Sequence, residues 1–333
     1  MPSSEDVEIL INPPEATRDS LLDKAAGERV HIFSGIGAYE TAERATLIAA
    51  ERDLNFGILT EPARWDGCRA PARFLKGFIR TCAFRSRIDF LLPVGHLAED
   101  WLKIIGFPAE MAFPWGYFPG RDAGNNTKAN ENDEHEFMFI GQLCRRKGVD
   151  VLLDAISNLP GNQAWRLTYI GDGPWRNFLK ERAKELGIRN RVDFTGALPN
   201  KDAMKLLQGA DTLVLPSRWD GWGAVTNEAI LRGVPTICSD RCGSASIVRS
   251  APHCDEFESH SSQHLREKLQ LRLKEHDPIS HADVQNWSTN ISPKSASRYL
   301  DKVIRYAYAP SEVERKPMPP WHMSSSSFSS SVT

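Results

Sequence analysis

EFMFIGQLCRRKGVDVLLDAISNLPGNQAWRLTYIGDGP, residues 136–174, holds an apolar β-branched run, a basic turn, a stretch with helical spacing and a second apolar run. The alternation continues down the chain. EFMFIGQL precedes helical periodicity over 148–158, WRLTYIGD precedes it over 175–186, and RVDFTGAL over 201–208. DTLVLPS leads to a helix ending at Arg232, and PTICSD to the stretch after Gly243. Five such units require parallel strands joined by right-handed crossovers, so residues 136–285 are expected to form a doubly wound α/β domain.

Upstream the theme repeats less cleanly. VEILIN, RVHIFSG, LNFGILTE and DFLLPVG read as strands, with helical spacing over 39–51, 73–83 and 97–105. Residues 1–120 are therefore expected to be a second, smaller α/β domain, with a cleft between the two sheets. The polar stretch GRDAGNNTKANENDEH marks residues 121–135 as the linker. Downstream, PKSASRYLDKVIRYAY regains helical spacing with Ala296, Tyr299, Leu300 and Val303 on one face, inside a segment taken as 286–310. Residues 311–333, with their SSSSFSSS run, are expected to be a disordered tail.

Bulk properties narrow the function. Lys and Arg total 41 against 43 Asp and Glu, a net charge of -2, so no general basic field invites nucleic acid. The 6 cysteines form no C-x-x-C pair and no metal-ligand spacing, and Cys238 falls in the strand-like run 235–240, where a reduced thiol fits. A reducing, cytoplasmic setting is expected. No run approaches the roughly 18 apolar residues of a spanning helix, and residues 1–6 lack a signal-peptide pattern. A soluble protein, or one peripheral on the cytoplasmic membrane face, follows.

Three places could carry chemistry. Arg145, Arg146 and Lys147 lie in the turn CRRKG after a strand, where open α/β sheets collect ligands. An anion site and a merely solvated basic loop fit these residues equally. GDGP, 171–174, is foremost a strand-to-helix turn, with Pro174 in the first helical turn, Asp172 near the cap and a ligand brushing the backbone at Gly171. The densest signal is PSRWDGWGAVTNEAILRGVP, 216–235, where Gly221 and Gly223 let the backbone approach a ligand. Amides around Gly223, Ala224 and Val225 at the helix start suit a diphosphate. Asp220 and Glu228 would repel phosphates, so the pair makes better sense accepting hydrogen bonds from sugar and ribose hydroxyls. Singly, each could serve as cap or dipole partner. No D-x-D triplet occurs, so no carboxylate clamp for a divalent cation is expected, and no metal or other cofactor.

Taken together over 137–248, IGQLCRRKGVDVLLDA, YIGDGP, RVDFTGALPNKD, ADTLVLPSRWDGWG and NEAILRGVPTICSD resemble the carboxy-terminal donor domain of glycosyltransferase family 4, of the GT-B architecture. Asp220 and Glu228 occupy that family's E-x(7)-E frame, with Asp in the first place. The resemblance implies that Lys147 holds the donor diphosphate, Glu228 the ribose and Asp220 the transferred sugar. It implies too that Gly196, Ala197 and Leu198 frame the base, and Gly221, Trp222, Gly223, Ala224 and Val225 line the site. Gln142 stands where the family has Arg, leaving Arg145 or Arg146 to substitute. HIFSG resembles the region of a catalytic-cleft histidine, which makes His31 a further candidate. The family's first glycine-rich loop has no counterpart after VEILIN, so the first domain is expected to be shortened. Residues 107–120 fit its closing strand, and Trp287 with the helix from Pro293 its terminal crossing back to the first domain.

The expected activity is a metal-independent transfer from a nucleotide diphosphate sugar, uridine- or guanosine-linked, to a glycan or lipid-linked acceptor, and the resemblance implies that it is retaining. Two rivals remain open: a nucleotide-sugar-binding protein without turnover, and another GT-B enzyme such as a nucleotide-sugar epimerase. Finally, a helix from about Ala72 would bury Leu75, Phe78, Ile79 and Cys82 and turn Arg73, Lys76 and Arg80 outward, with Arg87 joining if it runs on. That basic face is either simply solvated or a site for anionic head groups.

Overall fold

Runs of β-branched and aromatic residues form most of the strands, and among the described residues every strand pair is parallel. The computed structural model describes residues 29–36, 40–64, 70–82, 84–120, 134–161, 163–274, 278–309 and 315–322, with Thr17 and Leu22. These divide into two compact units. One holds the described residues up to Gly116 and Ala296–Pro319, and the other runs from Tyr117 to Ser295 and resumes at Pro320.

The first unit contains β1 (His31–Ser34), α1 (Glu40–Glu51), β2 (Phe56–Thr60), α2 (Ala70–Cys82), β3 (Phe90–Pro93) and α3 (His96–Ile104), with sheet order β1-β2-β3. VEILIN lies outside the described residues. The stretch 107–120 makes only two isolated bridges, Ala112 to Leu91 and Trp115 to Val94, rather than a full strand. The Phe113 and Trp115 amides donate to Leu91 (2.8 Å) and Pro93 (2.7 Å), while Pro114 between them has no donor to offer, as befits a sheet edge.

α2 departs from the expected orientation. Leu75, Phe78 and Ile79 face outward and Cys82 is exposed, whereas Thr81 is buried and Gly77 faces Trp101. A Cβ on Gly77 would sit 2.8 Å from the Trp101 ring, so the small residues rather than the apolar stripe form the contact face. The helix also ends at Cys82, and Arg87 lies in a separate turn, paired with Asp53.

The second unit follows the sequence pattern closely: β4 (His135–Ile140), α4 (Val149–Ser157), β5 (Trp165–Ile170), α5 (Arg176–Glu185), β6 (Val192–Gly196), α6 (Asn200–Leu207), β7 (Thr212–Leu215), α7 (Val225–Leu231), β8 (Thr236–Ser239) and α8 (Ala245–Ser250). β9 (Asp255–Phe257), α9 (Ser262–Lys274) and α10 (Pro278–Trp287) complete it. The sheet order is β6-β5-β4-β7-β8-β9. β7 and β8 are buried at every position, which is why TLVL and TICS read as unbroken apolar runs; β6, at the edge, alternates.

The linker expected over 121–135 ends early. His135 already belongs to β4, with its ring nitrogen 3.0 Å from Thr212 Oγ1, and residues 121–133 lie outside the described residues. α11 (Pro293–Tyr308) packs Tyr299 and Val303 against Phe90, Leu92 and Phe113 of the first unit, and Tyr308 donates to Asp89 (2.6 Å). The tail expected to be disordered over 311–333 is ordered at 315–322. Trp321 is buried there against Phe118, because PMPPW is apolar enough to pack; the serine-rich run lies outside the described residues.

Candidate functional site

In the second unit, sheet order reverses direction between β4 and β7. The chain winds outward one way through β5 and β6 and the other way through β8 and β9, and the carboxyl edge at such a reversal is where open α/β sheets bind their ligands. All but one of the expected site residues lie in this unit, and the central ones belong to these two loops.

The loops are laced together. After β4 the chain makes one tight turn, Arg145–Lys147, closed by Gly148 at φ 64. A Cβ on Gly148 would fall 1.8 Å from the Pro216 carbonyl oxygen, so only glycine lets the loops touch. Arg146 donates to the Trp219 carbonyl (3.1 Å) and its own carbonyl accepts from the Arg218 amide (2.8 Å). Arg218 grips Asp150 at the start of α4 through two bonds of 2.6 and 2.7 Å and also donates to the Arg145 carbonyl (2.8 Å). Burial alone would raise the Asp150 carboxyl, but the Arg218 guanidinium outweighs it and holds the pKa below the usual carboxylate value. With that frame in place, Lys147 Nζ lies 2.5 Å from Asp220 Oδ2, both side chains about 85% buried (15% and 14% exposed). Ser217 Oγ is 3.4 Å from the same oxygen.

The rest of the β7 loop presents backbone. The Asp220 amide donates to Arg241 (2.9 Å) and its carbonyl accepts from Gly243 (3.1 Å), which fixes the loop on the one after β8. Gly223 has φ 87. The amides of Gly221, Trp222, Gly223, Ala224 and Val225 meet no acceptor among the described residues. The Trp222 side chain is buried, donating to Asn227 Oδ1 (3.0 Å) and packed edge-on to Tyr117, so its role in the loop is structural. One turn into α7, the half-buried Glu228 carboxylate accepts no hydrogen bond from the described residues. Burial raises its pKa, with Arg232 pulling the other way.

Gly171 and Gly196 pair at the neighbouring strand ends, the Gly171 amide donating to Gly196 (2.9 Å), and exposed Ala197 and half-buried Leu198 follow. α5 starts at Arg176, so Pro174 precedes the helix rather than opening it. Gln142 and Arg145 are exposed. His31 stands apart from all of these, in the first unit, at the amino end of β1 and so at the edge of its sheet opposite the strand carboxyl ends. It stacks on Phe33, and burial with the Arg29 charge holds its imidazole below the usual pKa. The histidine at the carboxyl edge there is His96, after β3. Arg218, Asp150, Ser217 and Arg176, whose guanidinium borders Gly196, were not singled out from sequence; a basic residue inside each strand-to-helix motif was the available signal. Among the described residues no group of three or more His, Cys, Asp and Glu could hold a metal ion.

A family model described as glycosyl transferases group 1 matches residues 122–288, half of the chain. The chain belongs to the group 1 glycosyl transferases. Within that family it is 30% identical over 172 residues to a putative teichuronic acid biosynthesis glycosyltransferase of Bacillus subtilis, covering 49% of this chain and 41% of that one. A lipopolysaccharide outer core galactosyltransferase in its apo form superposes with a TM-score of 0.65 at 17% identity, over 87% of this chain and 78% of its own. An Anabaena protein solved in complex with UDP-glucose gives 0.58 at 14% identity, over 92% and 85%. These likenesses show the fold, which is α/β and GT-B-like, with a three-stranded first sheet among the described residues that agrees with a shortened first domain. The chain spans about a third to a half of the length of the curated relatives it matches. No described helix is long and apolar enough to cross a membrane.

Proposed function

We propose that this group 1 glycosyl transferase is a retaining, metal-independent, family 4-like enzyme that moves a hexosyl group from a nucleotide diphosphate sugar to a glycan or lipid-linked acceptor in polysaccharide or glycolipid biosynthesis. The observation that carries this is the Lys147–Asp220 pair at the point where the strand order reverses, beside five amides without acceptors among the described residues. A cation, a row of donors and hydroxyl-accepting carboxylates at one carboxyl edge of the sheet match the three parts of such a donor: diphosphate, sugar and ribose. Lys147 and the amides at 221–225 would hold the diphosphate, Asp220 the transferred sugar, and Glu228 the ribose. UDP-glucose bound to the Anabaena protein favours a uridine donor.

In the proposed reaction the acceptor hydroxyl attacks the anomeric carbon from the side of the leaving group. The bond from that carbon to the diphosphate breaks, the hydroxyl proton passes to the departing phosphate oxygen, and nucleoside diphosphate leaves. Fixed cations and amides lower the barrier by meeting charge as it develops on the leaving oxygen, without an enzymic nucleophile. Incubation with radiolabelled nucleotide sugars in chelator tests this. Release of nucleoside diphosphate with label passing to an acceptor is expected; tight binding without release would make the protein a nucleotide-sugar binder, and activity restored only by magnesium or manganese would remove the metal-independent scheme.

A further inference from the structure

The amides of Gly221 and Gly223 take their direction from the loop after β8. In a planar trans peptide the C=O and the N–H point opposite ways, so whatever holds the carbonyl of one residue aims the amide of the next. The Asp220 carbonyl accepts from the Gly243 amide (3.1 Å), and the Trp222 carbonyl accepts from the Ser244 amide (2.9 Å). Both carbonyls are therefore turned toward the β8 loop, and the Gly221 and Gly223 amides away from it. The Gly223 carbonyl accepts from the Thr226 amide (3.0 Å) and from Thr226 Oγ1 (2.8 Å), which aims the Ala224 amide from within α7 in the same way.

The β8 loop is shaped for this contact. Gly243 is buried, and a Cβ on it would fall 2.0 Å from the Gly221 carbonyl oxygen and 3.1 Å from the Trp222 Cα, so only glycine lets the two backbones meet. The approach is strand-like: Asp220 and Cys242 form a parallel bridge, and the Asp220 amide donates to Arg241 (2.9 Å). Ser244 stands where a serine would cap α8, yet its hydroxyl makes no cap bond, and its buried Oγ has no partner among the described residues. What Ser244 gives the loop is its backbone amide. That amide also does more than hold. Hydrogen bonds in a chain polarise one another, so Ser244 N–H on the Trp222 carbonyl makes the Gly223 N–H a better donor to an anion.

We infer that Gly243 and Ser244 are positioning residues for the donor diphosphate: without touching it, they aim the Gly221 and Gly223 amides at its oxygens. This rests on the donor site proposed above and extends it to a third loop, the one after β8.

Ser244→Ala and Ser244→Pro both remove the hydroxyl, and only proline removes the amide; the Ser244 φ of -75 suits proline. Calorimetry in chelator should give S244P a UDP affinity roughly tenfold or more below that of S244A, since bonds to a charged acceptor are lost. Uridine, which has no phosphate and is read by competition, should bind the two variants equally, whereas a distorted fold would weaken both ligands. Gly243→Ala should show the same selective loss of UDP, because its Cβ displaces the Gly221 peptide. Magnetic resonance on the wild type decides the matter even where a variant fails to fold. On titration with pyrophosphate the amide protons of Gly243 and Ser244 should shift together with those of Gly221 and Gly223. Equal UDP affinity of S244P and S244A, a parallel loss of uridine, or Gly221 and Gly223 shifting while Gly243 and Ser244 stay still would overturn the inference and leave the donor site standing. A wild type that binds neither UDP nor pyrophosphate would overturn the donor site and this inference with it.

Discussion

If Lys147 serves the donor diphosphate, Asp220 is its place-holder in the free protein, and Asp220→Asn should strengthen nucleoside diphosphate binding while weakening the fold. Even charges about 4 Å apart, farther than this 2.5 Å contact, attract by ~4 kcal/mol at an effective dielectric of about 20. Desolvation offsets part of this, and removing one member of a buried pair strands the other at a cost of about 3 kcal/mol. The pair retains 15% and 14% side-chain exposure, so a net loss of about 2 kcal/mol is expected. For a unit of this size that lowers Tm by about 4–8 °C. A bound diphosphate then supplies the anion that the variant lacks. The wild type must exchange Asp220 for phosphate and the variant need not, so UDP affinity should rise by up to about 30-fold. Sugar transfer should fall, because the proposed sugar contact is gone. Differential scanning fluorimetry with and without UDP, and calorimetry in chelator, read both quantities. A variant that loses Tm with unchanged or weaker UDP affinity would show that Lys147 and Asp220 form a structural pair and that the diphosphate lies elsewhere.

Glu228→Gln should weaken donor binding by about tenfold or more, since a carboxylate that accepts from ribose hydroxyls forms charge-assisted bonds. The pH dependence carries a sign. Burial raises the Glu228 pKa in the folded protein, so its contribution to stability is present below the ordinary carboxylate value and lost as pH rises through the raised one. Donor binding needs the ionised form and should fall as pH is lowered through that raised value. Calorimetry across the acid range checks this, and an acid limb that survives in the Gln variant would assign it to another group. Gly148→Ala places a Cβ 1.8 Å from the Pro216 carbonyl at φ 64. Left-handed backbone costs a non-glycine residue about 1–2 kcal/mol before the clash is relieved. A Tm drop of several degrees with weakened UDP binding is expected; wild-type values for both would mean that the two loops need not touch.

The parallel α/β architecture of the second unit was legible from sequence because a sheet covered on both faces writes its central strands as unbroken apolar runs, TLVL and TICS among them. The loops that carry the proposed donor residues were legible for a related reason: strand ends, glycines and helix starts are local, and GQLCRRKG and PSRWDGWG state them within a few positions. β9 was not legible. Of its three residues only Phe257 is buried; Asp255 and Glu256 are polar at the sheet edge and held by Arg249, Lys268 and Arg272 from elsewhere in the chain.

Tertiary structure alone decided the pairings. Lys147 and Asp220 are 73 positions apart, and only the strand order, which sets β7 beside β4, makes them neighbours. It also set His31 at the amino edge of its sheet, a matter of strand direction on which residue spacing is silent. For α2 the spacing predicted an amphipathic helix but assigned the wrong face inward. Periodicity shows that the apolar and basic residues lie on different sides of a helix; which side meets the protein depends on what the partner surface can accept, and beside the Trp101 ring that was Gly77.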